Sequence, residues 1–161
     1  MAFANVGRMD SLHLEAALVA AGPLAKAYER LWASIWAQPY VSAAVLELCR
    51  LRVARLRGAD CELQARHPSA QAPDFSEDKA QAVIAGQITA ARGFTPAERA
   101  ALEFAELHAI DANMITDELA DEVKKHFGEK GLVALIEALG VIDGRIRVGQ
   151  ILTQLQSGSA S

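Results

Sequence analysis

The chain has 161 residues, with 16 Lys and Arg against 20 Asp and Glu for a formal net charge of -4. That length suits one domain able to bury a core without a disulfide or metal staple. A composition 52% hydrophobic and 22% charged excludes a disordered chain, and the acidic balance excludes an electrostatic footprint for nucleic acid.

In chain order the apolar spacing is helical throughout, with no sustained period-two alternation. A first helix is expected from Ser11 to Ala20, with Asp10 as its cap. Gly22-Pro23 separates it from a second, which passes through Trp32 to Ala37 and is ended by Pro39. A third runs from Ser42 to Arg57 and stops at Gly58. Asp60 to Arg66 reads as a short helix that halts before His67-Pro68, because a residue preceding proline avoids the α region. Pro68 to Phe75 is expected as a loop. Ser76, followed by Glu77 and Asp78, reads as an N-cap with an acidic first turn. Thr95-Pro96-Ala97-Glu98 is a capping box with proline at the first helical position, opening a helix to about Ala112. Thr116 caps the next, which ends near Phe127-Gly128, and a last helix runs from about Gly131 to Leu155. The expectation is an all-α protomer of about seven helices, one domain over 1–156 with a flexible tail at 157–161.

No apolar run approaches the ~20 residues of a bilayer span, so no membrane partner is expected. Met1 opens no basic-then-apolar leader, and Cys49 and Cys61 are too few for a disulfide framework. A cytoplasmic location is the expectation. The histidines and cysteines lack metal-ligand spacing, so neither a metal nor another cofactor is expected. A positive mean hydropathy in so short a chain points to apolar surface buried between subunits.

The third helix carries the first candidate for chemistry. Glu47 shares a stripe with Ala43, Leu51 and Ala54, and a carboxylate on an apolar stripe is costly unless paired or protonated. Arg50, one turn on, is its nearest candidate partner. Two readings stand: a proton donor or acceptor tuned by a half-dry pocket, or a buried pair that fixes helix register. After Gly58, Asp60 is expected to cap a short helix with Cys61 and Glu62 in its first turn, where a thiol becomes more nucleophilic. A small apolar filler is the plainer reading of Cys61. His108 on an apolar face reads as a satisfied core or interface histidine, and Trp32 with Trp36 reads as packing. Arg50, Arg52, Arg55 and Arg57 read as ion-pair partners between helices or subunits.

The run Leu46-Glu47-Leu48-Cys49-Arg50-Leu51-Arg52-Val53-Ala54-Arg55-Leu56-Arg57-Gly58 resembles the signature helix of the carboxymuconolactone decarboxylase and alkylhydroperoxidase D superfamily. Phe94-Thr95-Pro96-Ala97-Glu98-Arg99-Ala100-Ala101-Leu102-Glu103-Phe104-Ala105 resembles a second segment of that family. The stretch Leu132 to Ile151, with Asp143-Gly144-Arg145 inside it, is a looser third match. The resemblance covers roughly 43–152 and implies an all-α protomer assembled as a homo-oligomer, a trimer or a hexamer. In the peroxidase branch a Cys-x-x-Cys pair works with a histidine and a glutamate. Here Glu47 falls on the relay glutamate, while Ala59 and Glu62 fall on the cysteines and Arg66 on the histidine. Two-cysteine dithiol chemistry is therefore excluded. The cysteine-free branch, with Glu-Leu at this turn, is similar to Glu62-Leu63-Gln64-Ala65-Arg66, with His67 one residue past its histidine.

The resemblance implies an enzyme of the decarboxylase branch acting on a small carboxylated substrate. Glu47 and Glu62 would flank a pocket, Glu47 moving the proton, with His67 beside them and Arg50 or Arg66 holding the substrate carboxylate. Two alternatives are carried: a one-cysteine peroxide-reactive protein using Cys61, with Glu47 or His67 as base, and a catalytically degenerate oligomeric binding protein.

Overall fold

The computed structural model describes residues 22–70, 74–89 and 93–158. Every described element is helical. The α helices are α1 (Pro23–Ala37), α2 (Ala43–Arg57), α3 (Asp60–Gln64), α4 (Glu77–Ile84), α5 (Pro96–Ile110) and α6 (Asp117–Gly158), with short 3-10 turns at Pro68–Ala70 and Ala112–Met114. The all-α expectation holds. Of the seven helices expected, the one at Ser11 to Ala20 lies outside the described residues. No helix among the described residues is long and apolar enough to cross a membrane.

Helix α2 is the axle of the fold because its sequence offers no polar face. Leu46, Cys49 and Val53 pack in one cluster with Trp36 of α1, Phe104 of α5 and Leu139 and Ile142 of α6. Leu48 and Leu51 pack in a second cluster with Val83 of α4, Phe94 and Leu102. Leu46, Leu51 and Leu139 are fully buried, and each such side chain stabilises the fold by about 1.5–3 kcal/mol. Arginines then tie the layers together. Arg52 pairs with Glu106 of α5 at 2.7 Å, and Arg57 pairs with Asp143 of α6 at 2.7 Å while donating to the Ala109 carbonyl at 2.6 Å.

Ser76, Thr95 and Thr116 cap their helices as the sequence announces, and Ser42 adds a cap to α2. Ser42 Oγ accepts from Val45 N at 3.3 Å, and Gly58 ends α2 in the left-handed region at φ 65°. Ala59 N donates back to Ala54 O at 2.9 Å, satisfying a carbonyl the helix end would orphan. Ser76 caps α4. Both halves of the Thr95–Glu98 box form, Glu98 N to Thr95 Oγ1 at 3.2 Å and Thr95 N to Glu98 Oε2 at 2.7 Å.

Five details of the helix ends differ from expectation. Helix α3 starts after Ala59, which offers no side-chain cap, so Asp60 is its first residue rather than its cap. It ends at Gln64 instead of Arg66, because the Glu62 and Ala65 carbonyls are taken by a side chain of α2. Helix α5 ends at Ile110, since Asp111 turns its carboxylate onto Asn113 N at 3.0 Å and opens a 3-10 turn. The expected break at Gly128 is present as non-helical backbone (φ 74°, ψ 174°), but the two arms are continuous enough to form one element. That element runs to Gly158, so Ser157 and Gly158 close the helix, and the rest of the expected tail lies outside the described residues.

Candidate functional site

The site is built around Arg50, which lies one turn after Glu47 on α2 and one left-handed glycine away from α3. Glu47 is 0% exposed and Arg50 is 4% exposed. Arg50 Nε donates to Glu47 Oε2 at 2.8 Å and Nη2 to Glu47 Oε1 at 2.8 Å, a bidentate pair. Nη1 donates to Glu62 Oε2 at 2.8 Å and to Glu62 O at 3.0 Å, and Nη2 also donates to Ala65 O at 2.9 Å. A guanidinium has five N–H groups, and all five are used. Glu47 Oε1 takes a further bond from the backbone N of His67 at 3.3 Å. One buried guanidinium thus fixes α3 and the turn after it onto α2.

His67 is fixed from three sides. Its ring stacks on Trp36 with centroids 3.8 Å apart and planes at 5°, and Trp32 meets it edge-on at 5.7 Å. Ser69 N donates to its Nδ1 at 3.2 Å, which places the neutral ring's proton on Nε2. Burial holds its pKa below the ordinary imidazole value; Glu47 opposes that shift, and Arg50 and Arg145 reinforce it.

Beside these groups lies a cleft of about 250 Å³, lined by Cys61, Glu62, His67, Trp32, Arg145 and Gln150 among others. Arg50 and Arg66 also reach its wall, whereas Glu47 sits behind Arg50 and does not line it. Of the six residues singled out from sequence, Arg50, Cys61, Glu62, Arg66 and His67 line one cleft, and Glu47 is their buried support. The two arginines are committed to the protein. Arg66 is paired with Glu77 at 2.7 Å and donates to the Leu63 and Ala65 carbonyls, and that guanidinium holds the Glu77 carboxyl below its usual range. Glu62 is the accessible carboxylate: its side chain is 31% exposed and only Oε2 is bound to Arg50. The cysteines part company. Cys61 is half-buried at the cleft, while Cys49 is buried, donates to Ala101 O at 3.5 Å and has its thiol pushed up to about 12 by burial.

Sequence reasoning missed the opposite wall. Arg145 lies 4.5 Å over the Trp32 ring and hydrogen-bonds Tyr28, whose pKa is raised by burial despite that cation. Arg145 makes no ion pair with a carboxylate among the described residues. Tyr28, Trp32 and Trp36 recur every four residues, one face of α1, and that spacing was the available signal. Trp36 is core as expected, but Trp32 also forms cleft wall. His108 is not a satisfied core histidine within the protomer: it is half-buried, its buried Nδ1 has no partner among the described residues, and burial lowers its pKa. Among the described residues no group of His, Cys, Asp and Glu is arranged to hold a metal ion. A scan against protein-family models gives no match for the chain, and a search of curated proteins gives none.

Proposed function

We propose that the cleft binds a small carboxylated molecule and carries out proton transfer on it, as the resemblance to the decarboxylase branch implies. The observation that supports this reading is Arg145, a cation on the cleft wall that makes no ion pair among the described residues, in the same cleft as Glu62 and His67. Arg145 replaces Arg50 and Arg66 as the anchor, since those two have protein partners for their donors. Glu62 replaces Glu47 as the proton-transfer group, since both Glu47 oxygens are engaged and shielded. Loss of a carboxylate as CO2 leaves its bonding pair on carbon, which takes up a proton. Glu62, whose side chain is 31% exposed, takes that proton from solvent water and delivers it to carbon, and His67, through Nε2–H, donates to the lactone carbonyl oxygen onto which the pair is delocalised. Glu47 and Arg50 are positioning residues.

The test is titration calorimetry and turnover with carboxylated lactones and small dicarboxylic acids. Arg145→Gln removes a charge-assisted contact of about 1.5–3 kcal/mol, a loss of roughly 10- to 150-fold in affinity. Glu62→Gln keeps binding and abolishes turnover. Wild-type affinity in R145Q overturns the reading.

A second reading rests on Cys61, the thiol at the cleft. Its thiolate would attack the O–O bond of an organic hydroperoxide, sulfur retaining one oxygen as sulfenic acid while the alcohol departs, with an external thiol restoring it. One equivalent of hydroperoxide would then add one oxygen to the Cys61 peptide, reversed by thiol. Reaction no faster than in the unfolded chain removes this reading.

A further inference from the structure

The C-terminal arm of α6 carries an apolar stripe that nothing among the described residues covers. Val133, Ile136, Val148, Ile151 and Leu155 are exposed, recurring at helical steps, with exposed Gly140 and Gly144 between them. A Cβ at either glycine would meet nothing beyond its own helix turn within 4 Å, so no packing among the described residues requires glycine there. Glycine in a helix interior costs about 0.5–1 kcal/mol relative to alanine, and close approach of another backbone is what it permits.

The stripe reads the same in both directions about the level of residue 142. Val133 mirrors Ile151, Ile136 mirrors Val148, and Gly140 mirrors Gly144. Glu137 mirrors Arg147, and both are exposed. We infer that this face binds a second copy of the chain, its helix antiparallel, about a two-fold axis at residue 142. In that register the two glycine pairs meet at the crossing and let the helices approach closely. Each Glu137 lies at the level of the partner's Arg147, so two reciprocal ion pairs form at the seam. A parallel pair would instead set Glu137 against Glu137 and Arg147 against Arg147, which charge repulsion disfavours. The seam from Val133 to Leu155 is ~33 Å long. At its Val133 end lies an open apolar groove walled by Leu31, Ile35, Tyr40 and Val133. The antiparallel register brings the partner's Ile151 and the partner's Leu155 to that groove, one at each end of the dimer. The inference is independent of what the cleft binds.

The experiment is sedimentation equilibrium on the full chain, with circular dichroism to confirm folding of each variant. Gly140→Leu raises helix propensity on an exposed face yet blocks the crossing, and it is expected to halve the mass of the assembly. E137R and R147E are each expected to weaken assembly at least tenfold, because each sets like charges at both seam positions. An equimolar mixture of E137R and R147E is expected to assemble as a heterodimer, since Arg on one copy then meets Glu on the other at both positions, whereas each variant alone meets only like charges. A wild-type monomer at all concentrations overturns the inference. So does assembly indifferent to Gly140→Leu, or a mixture no tighter than its components.

Discussion

At the residue scale the molecule turns on Arg50. A buried pair adds little net stability over apolar packing, but removing one partner strands a charge in the core. Glu47→Ala is therefore expected to lower unfolding free energy by about 3–5 kcal/mol, read as a fall in the urea midpoint at unchanged slope. Arg50→Lys should fare nearly as badly, because an ammonium has three donors and no planar fork for Glu47. The histidines set the acid behaviour. Burial lowers the folded pKa of His67 and His108 below the unfolded value of about 6.5, so below that pH the unfolded chain gains protons that the folded chain refuses. Stability is thus full above about pH 6.5 and falls as the pH drops through the window beneath it. Melting temperatures measured from pH 8 to pH 5 should fall less steeply in a His67→Gln, His108→Gln variant. Glu47 was legible in sequence because a carboxylate on an apolar stripe violates its pattern. The full partner set of Arg50 was not, since the Glu62 and Ala65 carbonyls it binds are backbone atoms that no side-chain pattern reports. Arg145 was illegible for a different reason: its neighbours Tyr28 and Trp32 are more than a hundred residues away along the chain.

At the scale of elements, caps and glycines gave most of the boundaries, and a tertiary contact moved the end of α3. Gly58 at φ 65° both ends α2 and turns the chain toward the cleft. Gly58→Ala places a Cβ in the left-handed region and is expected to cost about 1–2 kcal/mol, visible in chemical denaturation. Thr95→Ala removes half of the capping box and is expected to cost about 1 kcal/mol by the same measurement. Lys79 holds the box from outside, its ammonium 2.8 Å from Glu98, so α4 and α5 share that loss. The end of α3 was misplaced because local propensity carries no information about Arg50 reaching in from another helix. The break at Gly128 was legible, since glycine alone is at ease there, but sequence does not say that the arms stay joined.

At the scale of the whole molecule the all-α class followed from periodicity, and the central place of α2 followed from its lack of a polar face. Amide exchange should be slowest in α2, α5 and the buried face of α6 near Leu139 and Ile142, where one core joins three helices. In a protomer held apart by Gly140→Leu it should be fast at the end of α6, where Ile151 and Leu155 are exposed. The cleft, by contrast, belongs to no single stretch of sequence: α1, the α3 turn and α6 each supply a wall.

That shared authorship has a consequence for the five residues of α3. A helix so short is far below the length that stands alone in water, and here its carbonyls are gathered by a guanidinium from the neighbouring helix. Grafted onto a foreign scaffold, residues 58–67 would carry the letters Cys61, Glu62 and His67 but not their arrangement. The motif is portable only in the company of Glu47 and Arg50, two residues that almost no solvent ever touches.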